Sequence, residues 1–254
     1  MKLATWNVNS LTVRLPQVQD WLASAAPDVL VLQETKTTDD KFPLEALQSS
    51  GYQVEFFGQK TYNGVALLSK TPASNVLKNV PNFEDAQARV ITATVDGVRV
   101  IGGYFPNGQS PDSDKFQYKM QWLRALRTWL ADELKAHEKL VLMGDFNIAP
   151  DDRDVFDPVA MAGQIHCTQE ERDHFQALIS LGMTDAFRHK YDAPKLYSWW
   201  DYRMLAFRKN QGLRIDHILV SNPLLASVAD CIIDKAPRKN ERPSDHAPVV
   251  LTLS

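Results

Sequence analysis

The sequence predicts an α/β protein in which helices cover the outer faces of two mixed β-sheets packed face to face. Short apolar runs such as residues 29–32 and 140–143 end at once in polar residues and read as strands buried on both faces. Amphipathic helical stretches lie between such runs, as layered α/β folds require. Between Gly51 and Tyr104 the pattern changes to short strands separated by turn signals. No linker, low-complexity tract or strong repeat interrupts the 254 residues, so one domain over residues 1–254 is expected.

Residues 2–5 and then Trp6 form a first strand ending in Asn7-Val8-Asn9. Pro16 fits the first turn of a helix striped by Leu15, Val18, Leu22 and Ala25, and Pro27-Asp28 ends it. The strand at 29–32 runs straight into Gln33, Glu34 and Thr35. Tyr62-Asn63-Gly64 turns into a strand at 65–68. Strands at 89–95 and 98–104 flank Asp96-Gly97, a two-residue hairpin signal. A long helix follows from about Asp114 to His137, with Phe116, Met120, Leu123, Leu126, Leu130 and Leu134 at the 3.6-residue period. The strand at 140–143 stops at Gly144, which permits a turn or a close backbone approach. A helical stretch at 168–181 and strands at 213–220, 228–234 and 249–253 complete the chain.

Hydrophobic content of 44% and charged content of 23% are ordinary for a globular protein. No apolar run approaches the roughly 18 residues that span a bilayer, and the N-terminus lacks a signal pattern, so no membrane partner and a cytoplasmic location (nucleoid-associated if bacterial) are expected. Cys167 and Cys231 lack metal-ligand spacing and read as free thiols. A net charge of -3 argues against an all-over polybasic binder, but a local basic rim is compatible with nucleic acid.

Polar residues recur at strand ends: Asn7, Glu34, Tyr104, Asp145, Asn147, Asp216 and the pair Asp245-His246. A lone Asp or Asn there is usually a turn former, and Asp145 with Asn147 also fits an Asx turn. On an extended backbone those two would share one face. The whole set suits hard-metal and phosphate chemistry, and oxygen donors without cysteine point to Mg²⁺ or Mn²⁺.

The blocks Thr5-Trp6-Asn7-Val8-Asn9, Leu32-Gln33-Glu34-Thr35-Lys36, Gly103-Tyr104-Phe105-Pro106-Asn107, Gly144-Asp145-Phe146-Asn147, Gly212-Leu213-Arg214-Ile215-Asp216 and Pro243-Ser244-Asp245-His246-Ala247-Pro248 resemble the signature set of the exonuclease III family of AP endonucleases, within the endonuclease/exonuclease/phosphatase superfamily. The run Tyr197-Ser198-Trp199-Trp200-Asp201-Tyr202-Arg203 makes the resemblance specific to the DNA-repair branch. It implies a four-layer α/β sandwich, divalent-metal dependence and hydrolysis of DNA phosphodiesters by a monomer. Glu34 is then the primary metal ligand with Asn7 beside it, and Asp145, Asn147, Asp245 and His246 are further candidates. Asp216 orients a cationic His246, able to contact a phosphate oxygen or act as base. Asp145 sits near the attacking water or the leaving group, and Asn147 holds it or bonds the phosphate. Tyr104 donates to a non-bridging oxygen or acts as phenolate, and Asp245 orients His246 or helps bind a metal.

For the substrate, double-stranded DNA with abasic sites or blocked 3′ ends, the resemblance gives Trp199, Leu213 and Ile215 as an apolar pocket for a base-less sugar, with core packing as the alternative. Asn107 is a further contact. Lys36, Arg89, Arg203, Arg208, Lys209, Arg214, Arg238, Lys239 and Arg242 are candidates for a phosphate-binding rim, whose affinity would fall steeply with salt. Ser10 and Thr12 stand where the family commonly has Gly and Arg. His166 stands where it usually has Gly or Ser, on a loop resembling one that lines the DNA. Such an imidazole would hinder an internal abasic nucleotide while tolerating a 3′ end, giving a bias to exonuclease, 3′-phosphatase or 3′-phosphodiesterase work; the alternative is a loop histidine facing solvent. A superfamily phosphodiesterase for a non-DNA ester is disfavoured by the tryptophan run. A non-catalytic relative is disfavoured by the presence of Glu34, Asp145 and His246.

Overall fold

The computed structural model describes residues 1–254. In chain order the elements are β1 (Lys2–Asn7), α1 (Leu11–Ala25), β2 (Val29–Gln33), α2 (Leu44–Ser49), β3 (Gln53–Phe57) and β4 (Val65–Ser69), then β5 (Ser74–Lys78), β6 (Val90–Val95), β7 (Val98–Tyr104), α3 (Asp114–Ala136) and β8 (Leu140–Asp145). The last third contributes α4 (Pro158–Met161), α5 (Gln169–Ile179), β9 (Met183–Asp185), α6 (Ala186–Lys190), β10 (Trp199–Trp200), β11 (Gly212–Leu213), β12 (Asp216–Ser221), β13 (Val228–Ile233) and β14 (Val249–Leu253). One six-stranded sheet has the order β13-β14-β1-β2-β4-β3 and the other β5-β6-β7-β8-β12-β9. Each holds one parallel pair, β1 with β2 and β7 with β8, among antiparallel neighbours.

The expected layering is observed. Val29, Val31 and Leu67 from one sheet meet Val100, Val141 and Ile218 from the other in the central core. The alternate residues face outward: Leu30, Leu32 and Leu68 pack under α1 and α2, while Ile101, Leu142 and Leu219 pack under α3 and α5. Period-2 alternation in strands buried on both faces therefore yields helix, sheet, sheet, helix. Both cysteines are buried free thiols. No helix is long and apolar enough to cross a membrane.

Three local expectations need correction. Helix α1 starts at Leu11, so Pro16 lies inside it rather than in its first turn; Ser10 caps it by accepting from the Val13 N–H. The run at 213–220 is not one strand. Leu213 pairs with Trp199 in a separate two-stranded ribbon, and Arg214 and Ile215 break away before β12 begins at Asp216. There the Arg214 guanidinium is drawn into a buried cluster with Asp154, Asp185 and His217. Finally, β8 continues through Gly144, whose missing side chain permits close approach instead of a turn: a Cβ there would sit 1.8 Å from the Gly103 carbonyl oxygen.

This topology positions the site. β1, β2, β7 and β8 end at the same edge of the sandwich, bringing Asn7, Glu34, Tyr104 and Asp145 together. Asp216 opens β12 rather than closing a strand, but β12 runs antiparallel to β8 and pairs Asp216 with Asp145.

Candidate active site

Asp145 is almost wholly buried, at 1% exposure, and held through both carboxylate oxygens. Asn7 Nδ2 donates to Oδ2 at 2.9 Å, and the Asn147 backbone N–H donates to Oδ1 at 2.9 Å. The other Asn7 amide contact goes to Glu34 Oε1, also at 2.9 Å, so one carboxamide spaces two carboxylates. Glu34 itself has φ 52, which turns it out of the strand line, and its Oε2 pairs with Lys36 Nζ at 3.1 Å.

His246 faces Asp145 from the other side, Nε2 to Oδ2 at 3.6 Å, while its Nδ1 lies 2.8 Å from Asp216 Oδ2. A carboxylate only accepts, so Nδ1 carries a proton. Asp216 is in turn fixed by Ser198, whose Oγ donates to Oδ2 at 2.7 Å and accepts from the N–H groups of Ile215 and Asp216. Burial works against the charge on His246, but Asp216, Asp145 and Asp245 override it and push the imidazole up to about 10. Burial also pushes Asp145 up to about 7, against the pull of the His246 charge. Tyr104 is raised well above 10 by burial and by Glu34 and Asp145, against the Arg89 guanidinium 5.1 Å from its ring. The phenol is therefore a hydrogen-bond donor in this environment, not a phenolate.

Glu34, Asp145 and His246 each place one ligand atom within 4.8 Å of the others. The donor set fits a hard divalent cation: partly exposed Glu34 and buried Asp145 present carboxylate oxygens side by side, spaced by the Asn7 amide. His246 is the weakest ligand of the three, since Asp216 keeps it protonated.

Other expectations shift. Asn147 has φ 51, so it does not share an extended face with Asp145. The two form an Asx turn through the Asn147 N–H, and the Asn147 amide donates to the Phe105 carbonyl at 2.9 Å. Asn107 Nδ2 reaches Asn147 Oδ1 at 3.4 Å. Asp245 does not orient His246; its oxygens accept from Asn9 Nδ2 at 3.2 Å and Trp199 Nε1 at 2.9 Å. Trp199, Leu213 and Ile215 do pack together, with Ala149, Val155 and Cys167. Leu213 and Ile215 are buried there, leaving Trp199 as the partly open member.

The basic rim is smaller than the sequence suggests. Arg214 is 1% exposed and ion-paired to Asp154 and Asp185. Buried Arg89 donates to Gln87 and to the Tyr104 carbonyl, and buried Arg238 donates to the Ser244 carbonyl over the Phe207 ring. Arg203 is exposed but forks onto Asp201. Arg208, Lys209, Lys239 and Arg242 remain exposed without an ion pair.

His166 does not face solvent. It is 9% exposed, and Nδ1 lies 2.8 Å from the Asn147 carbonyl oxygen. A carbonyl only accepts, so Nδ1 carries the proton. Burial and nearby Lys119 push the ring down to about 4, which leaves it neutral.

Beside Tyr104 and Asn107 opens a cleft of about 620 Å³, also lined by Gln59, Asn63, Gln87 and Lys115. Sequence reasoning missed these carboxamides, because Asn63 reads only as a turn residue. It also missed Ser198, which lies between Tyr197 and Trp199, and Lys119. The signal for Lys119 was a lysine within the apolar stripe of a long helix.

The Endonuclease/Exonuclease/phosphatase family matches residues 4–246. Exodeoxyribonuclease III of Haemophilus influenzae is 38% identical, over 98% of each chain. The structure of the 3′-phosphatase NExo from Neisseria, bound to a product DNA hairpin, superposes with a TM-score of 0.99 at 51% identity, covering 100% of this chain and 99% of that one. An AP endonuclease from Archaeoglobus fulgidus gives a TM-score of 0.97 at 36% identity, with coverage of 100% and 99%.

Proposed function

Because the chain belongs to the endonuclease/exonuclease/phosphatase family, and within it is an exonuclease III-type DNA-repair nuclease with 3′-end processing, we propose that it is a Mg²⁺-dependent enzyme biased toward 3′ termini of double-stranded DNA. The observation that carries the assignment of chemistry is Asp145: a buried carboxylate held on both oxygens, with a cationic imidazole 3.6 Å away. Divalent-metal dependence belongs to the family, and Mg²⁺ suits the carboxylate oxygens of Glu34 and Asp145. Glu34 and Asp145 would hold the ion with Asn7 beside them, and when bound it supplies positive charge to the phosphate oxygens.

The chain's own groups do the rest. Asp145, fixed by the Asn7 amide and the Asn147 backbone N–H, takes the proton of the attacking water or returns one to the leaving oxygen. His246, kept cationic by Asp216, donates to a non-bridging oxygen where negative charge builds up. Tyr104 donates its phenolic proton to another, and Asn147 holds Asp145 in register through its backbone. Trp199 closes the site on the sugar side and is oriented by Asp245.

His166 sets the bias. Being neutral, it attracts no phosphate, so it acts by occupying space beside the Asn147 turn. The bias toward 3′ ends is supported by NExo, a 3′-phosphatase 51% identical to this chain. On a duplex ending in a 3′-phosphate, Asp145→Asn should lower phosphate release by about 10³-fold with the fold intact, and chelator should abolish release in the wild type. Asp145→Asn retaining wild-type turnover would overturn the assignment.

A further inference from the structure

Behind the Asp145 turn the protein buries an ion pair that the chemistry above leaves idle. Lys119 interrupts the α3 face that carries Phe116, Met120 and Leu123, and the side chains of both Lys119 and Glu171 are 0% exposed. A fully buried pair is a weak source of stability compared with apolar residues of similar volume, so its geometry needs another explanation. Lys119 Nζ donates to the Asn147 carbonyl at 2.7 Å, to the Asn107 carbonyl at 3.2 Å, and to Glu171 Oε1. The second oxygen of Glu171 accepts from the N–H and Oγ1 of Thr168, closing the capping box at the start of α5. Two residues before Thr168 stands His166, whose Nδ1 donates to the same Asn147 carbonyl that Lys119 holds. The His166 backbone carbonyl also accepts from the Ala149 N–H at 2.9 Å. One bonded circuit thus runs from α3 to the Asn147 turn, through His166 to the cap of α5, and back through Glu171.

We propose that Lys119 and Glu171 form a specificity-determining clamp that fixes the His166 imidazole against the Asn147 turn. They are positioning residues, and the proposal rests on the role given above to His166. A rigid imidazole keeps an internal abasic nucleotide out while a 3′ end still reaches Asp145. Without the clamp, the Asn147 carbonyl loses one of its two side-chain donors and the His166 loop can move aside. Because the Asn147 turn braced by Lys119 also holds Asp145, the quantity that reports the clamp is the ratio of rates on two duplexes rather than the rate on either one.

The test compares rates on an internal abasic duplex and on a 3′-phosphate duplex, with hydrogen exchange at the Ala149 amide. The variants are Lys119→Met, the volume-matched Lys119→Met/Glu171→Met, His166→Gly, and His166→Gly combined with the pair. The double variant guards against misfolding, since it leaves no unpaired buried charge. The expected result is a rise in the abasic to 3′-phosphate ratio on the order of 10-fold in the pair variant. Ala149 exchange should be faster there, and the ratio should not rise further when the pair is added to His166→Gly. An unchanged ratio in the folded pair variant, beside a raised ratio in His166→Gly, overturns the clamp alone. An unchanged ratio in His166→Gly itself overturns the reading of His166, and with it the specificity role of the pair.

Discussion

At the scale of residues, His246 shows how neighbours set chemistry. Its residue type and its Asp245 neighbour are legible in the sequence, but the resemblance offers orientation to Asp216 and, as an alternative to metal binding, to Asp245, and only Asp216 performs it. Adjacency in sequence misled because Asp245 points back to Trp199 and Asn9, while Asp216 arrives from a strand paired with β8. The consequence can be measured. In metal-free protein His246 is raised from 6.5 to about 10, so its contribution to stability is complete below 6.5 and is lost as pH rises through about 10. Asp145, raised from 3.8 to about 7, acts in the same sense at lower pH. The urea midpoint in chelator should therefore fall across the upper window. Asp216→Asn removes the largest of the groups that raise His246 and should flatten that fall. An equally steep fall in the variant would show that another group holds the proton.

At the scale of elements, periodicity and turn chemistry located the buried strands and the long helix because each buries a continuous apolar face. Helix α3 spans Asp114–Ala136, one residue short of the expected end. Elements shaped by tertiary partners were less legible. Arg214 looks like a solvated cation in sequence, yet Asp154 and Asp185, 60 and 29 residues away along the chain, draw it inside. Three-residue β9 and two-residue β10 carry too little pattern to read. Gly144 in sequence fits a turn or a close backbone approach equally, and what decides for the approach lies across the sheet in β7. Gly144→Ala should destabilise the protein by about 3 kcal/mol in urea unfolding, because the added Cβ meets backbone that cannot yield. A loss of less than 1 kcal/mol, on the same overpacking scale, would mean that the β7–β8 junction relaxes freely.

At the scale of the whole molecule, two sheets meeting face to face leave one edge where four strands end and two loops close over them. Glu34, Tyr104, Asp145 and His246, scattered over more than 200 positions, meet there. Their order along the chain carried the family resemblance, and their assembly follows from the parallel β1–β2 and β7–β8 pairs. The DNA-facing rim was the least legible part, since exposure decides it and sequence does not report exposure. On the proposed function, a buried, neutral His166 sets this site for 3′ ends. The most direct measurement is Mg²⁺-dependent turnover on three duplexes, with an internal abasic site, a recessed 3′-hydroxyl and a 3′-phosphate, for the wild type and His166→Gly. The wild type should favour the two 3′-end substrates, and His166→Gly should gain abasic incision. Efficient abasic incision by the wild type, unchanged in His166→Gly, would contradict it.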